Sequence, residues 1–175
     1  QMRHFRVISM CFLGIATLAG CQKSGDQEVN RAFQDVNVVD ESNLSDIMLT
    51  VADPNEAVNY FKRTVAENPD RADLHRGLGQ SLIRAKRPTE AVPVYERLMK
   101  LDGATDEDRV DYADALLRAG DWPKADATLD AIPPTYETFK RYRLEAMVAD
   151  SNKEWKKADS FYETAVGLTT RPAGV

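Results

Sequence analysis

Cysteine is nearly missing from this chain. Its 175 residues contain two, Cys11 and Cys21, and nothing after Cys21 can form an internal disulfide. Histidine is as scarce, with only His4 and His75. One histidine and no thiol in the body cannot make a His/Cys metal site. No Gly-x-Ser-x-Gly elbow is present to set a serine beside His75. Gly77-Leu78-Gly79 lacks the third glycine and the preceding strand of a dinucleotide loop. An excess of basic charge is lacking too: 23 Lys and Arg stand against 28 Asp and Glu, a net charge of -5. An acidic body repels phosphate backbones, which argues against nucleic acid as a partner. No catalytic centre, metal or cofactor is expected from this inventory, and no small-molecule substrate.

What is present begins with an address. Met2-Arg3-His4-Phe5-Arg6 is short and basic, and Met2 is the expected start. An apolar stretch from Val7 to Leu18 follows, broken only by Ser9, Gly14 and Thr17. It has the length of a signal-peptide core and falls short of the about 20 apolar residues that a membrane-spanning helix needs. The stretch ends in Leu18-Ala19-Gly20-Cys21, which resembles the lipobox of bacterial lipoproteins. The resemblance implies that residues 1–20 are a cleaved signal peptide and that Cys21 carries the lipid. The alternative is an ordinary secretory signal with an incidental cysteine. Each buried acyl methylene contributes about 0.8 kcal/mol, so two or three chains anchor a protein for practical purposes permanently. Gln22 stands where, in the sorting pattern this resembles, Asp favours the inner membrane. The expected location is therefore the outer membrane, facing the periplasm. Residues 21–40 read as lipidated cysteine and flexible tether, with Val36, Val38 and Val39 beginning to pack on the first helix.

Residues 41–175 repeat. Ala57, Ala91, Ala125 and Ala158 are spaced by 34, 34 and 33. Four residues after each comes a large side chain: Phe61, Tyr95, Leu129 and Tyr162. A helix sets these on one stripe with the alanines. Small residues, Ser45, Gly79, Ala113 and Ala146, recur twelve residues before each alanine. Turn signals separate the segments at Asp53-Pro54, Lys86-Arg87-Pro88 and Gly120-Asp121-Trp122-Pro123. The period and these positions resemble the tetratricopeptide repeat. The resemblance covers about 130 residues and implies an all-α solenoid of about four helical hairpins. An unrelated helical bundle is the alternative. Helices are predicted at 41–52, 54–67, 71–85, 88–101, 106–119, 122–131, 135–151 and 155–168. Pro93 should kink or loosen its helix, and His75 should be exposed or lightly packed. Trp122 and Trp155 sit at hairpin turns, where each should cover the joint between hairpins. After Thr169 the chain offers no polar capping helix. The expectation is a fragment of a longer protein, with an end face covered by a partner as the alternative.

In tetratricopeptide arrays the first helix of each hairpin usually lines the concave face. Register places Asp73, Arg76, Gln80 and Arg84 there, with Glu107, Val110, Asp114 and Arg118, then Lys140, Arg143 and Met147. Asp73, Arg76, Gln80, Arg84, Asp114, Arg118 and Arg143 are the candidate partner-binding residues. A lipobox, a short acidic tether and segments such as Ala72-Asp73-Leu74-His75-Arg76-Gly77-Leu78-Gly79 resemble the lipoproteins of tight-adherence (Tad/Flp) pilus assembly, the TadD family. That resemblance implies a protein-binding scaffold without enzymatic activity, with secretin or pilus machinery as partners. Assembly of outer-membrane proteins or of type IV pili, or an adaptor for peptidoglycan enzymes, are the other readings.

Overall fold

A computed structural model describes residues 43–170. The predicted leader at 1–20, Cys21 and the tether to residue 40 lie outside the described residues, as do residues 171–175. The repeats lie in one compact unit that begins at Leu44. Among the described residues there are eight helices and no strand. They pair into four hairpins: α1 (43–50) with α2 (Pro54–Glu67), α3 (Ala72–Arg84) with α4 (Pro88–Leu98), α5 (Asp106–Ala119) with α6 (Trp122–Asp130), and α7 (Phe139–Ser151) with α8 (Trp155–Thr170). From α2 onward each helix packs on its successor, and α5 also touches α3 and α7. This is the expected α-solenoid of four hairpins.

Local chemistry starts these helices where the turn residues lie. The Asp53 carboxylate accepts from the Asn55 and Glu56 amides, with Pro54 in the first turn of α2. Asp121 accepts from Lys124 N at the start of α6, and the Thr138 hydroxyl accepts from Arg141 N at the start of α7. Thr105 and Asp108 form a reciprocal capping box on α5. Such caps satisfy amides that have no partner within the helix.

The turns inside the hairpins repeat as faithfully as the helices do. Arg87 N donates to Leu82 O, Asp121 N to Leu116 O and Glu154 N to Ala149 O, each at 2.9 Å. This six-residue closure needs a left-handed residue, and Lys86 (φ 59°), Gly120 (φ 90°) and Lys153 (φ 64°) supply it. Only Gly120 adopts that conformation without a steric cost.

Repeat packing sets small residues against large ones. Ala57, Ala91, Ala125 and Ala158 are all buried. A Cβ on Gly77 would collide with the Phe61 ring of the preceding hairpin, and one on Gly79 would lie 2.6 Å from the Tyr95 ring of its own. The hydrogen side chains therefore let α3 approach α2 on one side and α4 on the other. Ala113 and Ala146, in register with Gly79, are also fully buried.

Several expectations are revised. The helix predicted from 135 begins at Phe139, because Arg141 Nη1 binds the Pro133 and Tyr136 carbonyls (2.6 and 2.9 Å) and holds 133–138 as a turn. Pro93 faces solvent, and α4 is helical on both sides of it. The missing N–H leaves the Thr89 carbonyl on an exposed edge where water can serve it. Trp122 packs against the core, whereas Trp155 is exposed and covers no joint among the described residues.

Two predictions test this packing. Gly120→Ala should lower stability by about 1–2 kcal/mol through backbone strain alone, since nothing lies within 4 Å of the added Cβ, and Lys153→Gly should raise it. Chemical denaturation of both variants measures the opposite signs. Ala91→Phe should cost about 1–3 kcal/mol by overpacking, and an unchanged melting temperature would remove Ala91 from the helix contact.

Candidate partner-binding groove

The first helices of hairpins two to four, α3, α5 and α7, lie side by side, with α5 in the middle. Asp108, Asp111 and Asp114 recur on α5 at intervals of three, and all three are buried. Burying a carboxylate costs several kcal/mol unless cations and donors answer it. The neighbouring helices supply them.

Asp108 is fully buried and takes both arms of Arg76 from α3, Nε to Oδ1 at 2.5 Å and Nη2 to Oδ2 at 2.7 Å. Its second oxygen also accepts from the Thr105 amide and hydroxyl, both at 2.9 Å. Burial pushes the Asp108 carboxyl up, but Arg76 and Thr105 outweigh it and hold it below its ordinary value. The Arg76 guanidinium is raised in turn, chiefly by its bonds to Asp108. Arg76 Nη2 also donates to Gly103 O at 3.1 Å. Asp111 accepts from Gln80 Nε2 of α3 at 3.2 Å and from Lys140 Nζ of α7 at 2.5 Å. Asp114 accepts from Arg118 Nε at 3.0 Å and lies 3.6 Å from the same Lys140. Hairpins two, three and four are thus tied along one polar seam.

The predicted groove residues divide accordingly. Arg76 and Gln80 already hold carboxylates, those of α5, so their donors face inward. Arg84 donates to the carbonyls of Met48 (3.1 Å), Leu49 (2.6 Å) and Ala52 (3.0 Å), closing the end of α1. Asp73 takes a two-armed contact from Arg71. Arg118 keeps half of its side chain in solvent. Arg143 is half-buried and has no hydrogen bond or ion pair among the described residues. Glu107 is exposed, as a groove residue should be. Val110 is buried in the core and lines no groove, and Met147 packs against that core. Cys21 lies outside the described residues.

His75 also differs from its expected exposed position. It is buried, and its Nε2 donates to Pro69 O at 2.9 Å, so it pins the turn before α3. Its Nδ1 has no partner, and no group of three metal-ligating side chains occurs among the described residues. Asp108, Asp111 and Arg141 were missed as organising residues. The signal for the first two was a cation or amide 31 or 32 residues before an acid, a little under one repeat. A cleft of about 680 Å³ opens beside the seam, bordered by Asp73, Arg76, Lys100, Asp102 and Gly103.

Two tetratricopeptide-repeat family models match residues 48–104 and 82–148, together more than half of the chain. The chain belongs to the tetratricopeptide repeat proteins. Tetratricopeptide repeat protein 21B of Xenopus laevis is 30% identical over 86 residues, which are 49% of this chain and 6% of that protein. Tetratricopeptide repeat protein 21A of Homo sapiens is 28% identical over 60 residues, 34% of this chain and 4% of that one. The chain therefore spans a small fraction of the length of these curated relatives. Among solved structures, a crystal structure of MamA superposes with a TM-score of 0.61 at 17% identity, covering 87% of this chain and 95% of that one. The Cut9-Hcn1 hetero-tetramer of the APC/C gives 0.61 at 16% identity, covering 67% and 23%. These likenesses show the fold. Tetratricopeptide scaffolds bind other proteins and are generally non-enzymatic.

The seam predicts an acid-sensitive stability. Asp108 has a depressed folded-state pKa, so its contribution is fully present above the unfolded value near 3.8 and is lost as pH falls through the lower folded value. Asp108→Ala should cost about 2–4 kcal/mol at neutral pH, because it leaves Arg76 half-buried without its partner. The gap between wild type and variant should narrow in urea titrations as pH falls below the ordinary carboxylate value of 3.8.

Proposed function

We propose that this protein is a lipid-anchored periplasmic scaffold that holds protein partners during assembly of an envelope secretion or pilus system of the Tad/Flp type. The anchor rests on Leu18-Ala19-Gly20-Cys21, with Cys21 as the lipidated residue, and the outer-membrane location on Gln22 after it. Among the described residues no helix is long and apolar enough to cross a membrane, so attachment by acyl chains suits the body.

The observation that carries the partner-binding reading is the division among the groove cations. Arg76 and Arg84 are engaged inside the array, and their loss would be felt as instability. Arg143 has no internal partner among the described residues, and Arg118 has one carboxylate and half of its surface in water. Arg118 on α5 and Arg143 on α7 are thus the groove cations with capacity left for an acidic or C-terminal segment of a partner. Guanidinium groups meet such carboxylates with two parallel bonds. Their charge stands out because the body is acidic, and it should act on association rate and salt sensitivity.

Two expected outcomes follow. Pull-down of envelope proteins with an Arg118→Gln, Arg143→Gln double variant should weaken capture of an acidic partner at low salt, and Arg143→Gln alone should weaken it with the melting temperature unchanged. An identical partner set at low and moderate salt would move binding away from this groove. Cys21→Ser should abolish fatty-acid labelling and partitioning into the detergent phase, and labelling that persists would remove the anchor.

A further inference from the structure

The first and last described hairpins carry the two halves of the contact that joins hairpin to hairpin. On α2, α4 and α6, the side chain four residues after the repeat alanine is Phe61, Tyr95 or Leu129, and each is 1% exposed. Its counterpart on α8, Tyr162, is 40% exposed. Val166 on α8, in register with Val65 and Met99, is 58% exposed, whereas those two pack against the core. Trp155, in register with the core-packed Trp122, is 58% exposed. Trp155, Tyr162 and Val166 fall on one stripe of α8. Each of the three earlier second helices uses this surface to hold the following hairpin, and no helix covers it on α8 among the described residues.

The opposite end shows the reverse pattern. On α3, Leu78 and Ser81 are buried, and on α5 so are Tyr112 and Ala115, which hold the equivalent places. These positions lie on the side that meets the preceding hairpin: Gly77 touches Phe61, and Tyr112 stacks near Tyr95 with centroids 6.3 Å apart. In register with them on α1 stand Leu44 and Ile47, 40% and 53% exposed, with Val51 beyond. An apolar row at intervals of three and four faces outward where a preceding second helix would sit.

We propose that a second copy of this chain docks head to tail, with the α1 face of one copy on the α8 stripe of the next. The new contact continues the one that joins hairpin to hairpin within the chain. Asp159 lies within the α8 stripe, between Trp155 and Tyr162, and is no obstacle: Asp126 holds the same place on α6, and hairpin four packs there. The interface is heterologous, so a chain of copies keeps one free end of each kind, at its two terminal copies. One helix seam lies at the small end of the interface range, and association should be weak.

Light scattering on the full chain in a non-ionic detergent tests this. The protein mass per particle should rise between about 1 and 100 µM, the range expected of a small interface. Ile47→Glu and Val166→Glu, at exposed positions, should each fold by circular dichroism and each be monomeric alone. Mixed together they should form a 1:1 dimer, since one keeps an intact tail face and the other an intact head face. If either unfolds, Leu44→Lys and Trp155→Lys replace them. A constant monomer mass, or a mixture that stays monomeric, overturns the proposal. So does loss of association with Val166→Glu while Ile47→Glu associates normally, which would mean a symmetric α8 contact.

Discussion

Three aspartates on one face of α5 have to be neutralised, and the arrangement of the neighbouring first helices answers that requirement. Asp108, Asp111 and Asp114 are buried in the middle of the array, where an unanswered carboxylate would cost more than any single apolar contact returns. Arg76 and Gln80 reach them from α3, and Lys140 reaches them from α7. Apolar packing alone would permit adjacent hairpins to slide by part of a turn, since leucine, valine and alanine contacts are not directional. Two-armed bonds of the Arg76–Asp108 kind fix rotation and height together.

The second helices obey a different logic. Their contacts are steric: a ring at Phe61 or Tyr95 occupies the space left by Gly77 or Gly79. Glu96 adds a polar tie by gathering the Tyr112 hydroxyl and the Lys124 ammonium of the following hairpin. Shape therefore sets the spacing of the hairpins on one side of the array, and charge sets their stagger on the other.

Most of the architecture was legible in the sequence because it repeats. The four alanines, the bulky residue four places on and the turn residues all follow a period that needs no knowledge of neighbours. The polar seam was harder to read. Asp108 lies in Asp106-Glu107-Asp108, and a run of acids at a helix start is ordinarily a response to the helix dipole. Its pairing with Arg76 depends on the stagger of α5 against α3, which neither helix encodes by itself. His75 was misplaced for a related reason: its burial comes from the Pro69 turn folding back on α3, a contact outside any helical pattern. Val110 shows the limit of register arguments, since a turn of α5 faces both seam and core.

Arg84 gives the first repeat a particular mode of opening. The last carbonyls of α1 are served by a side chain from the neighbouring hairpin rather than from its own. The amides of α1 should therefore exchange with solvent as one cooperative group, whose protection reports the state of α3 rather than the helicity of α1 itself. Any force transmitted through the chain on the N-terminal side would meet that guanidinium first. The array would then yield by releasing α1, leaving the three hairpins of the seam intact.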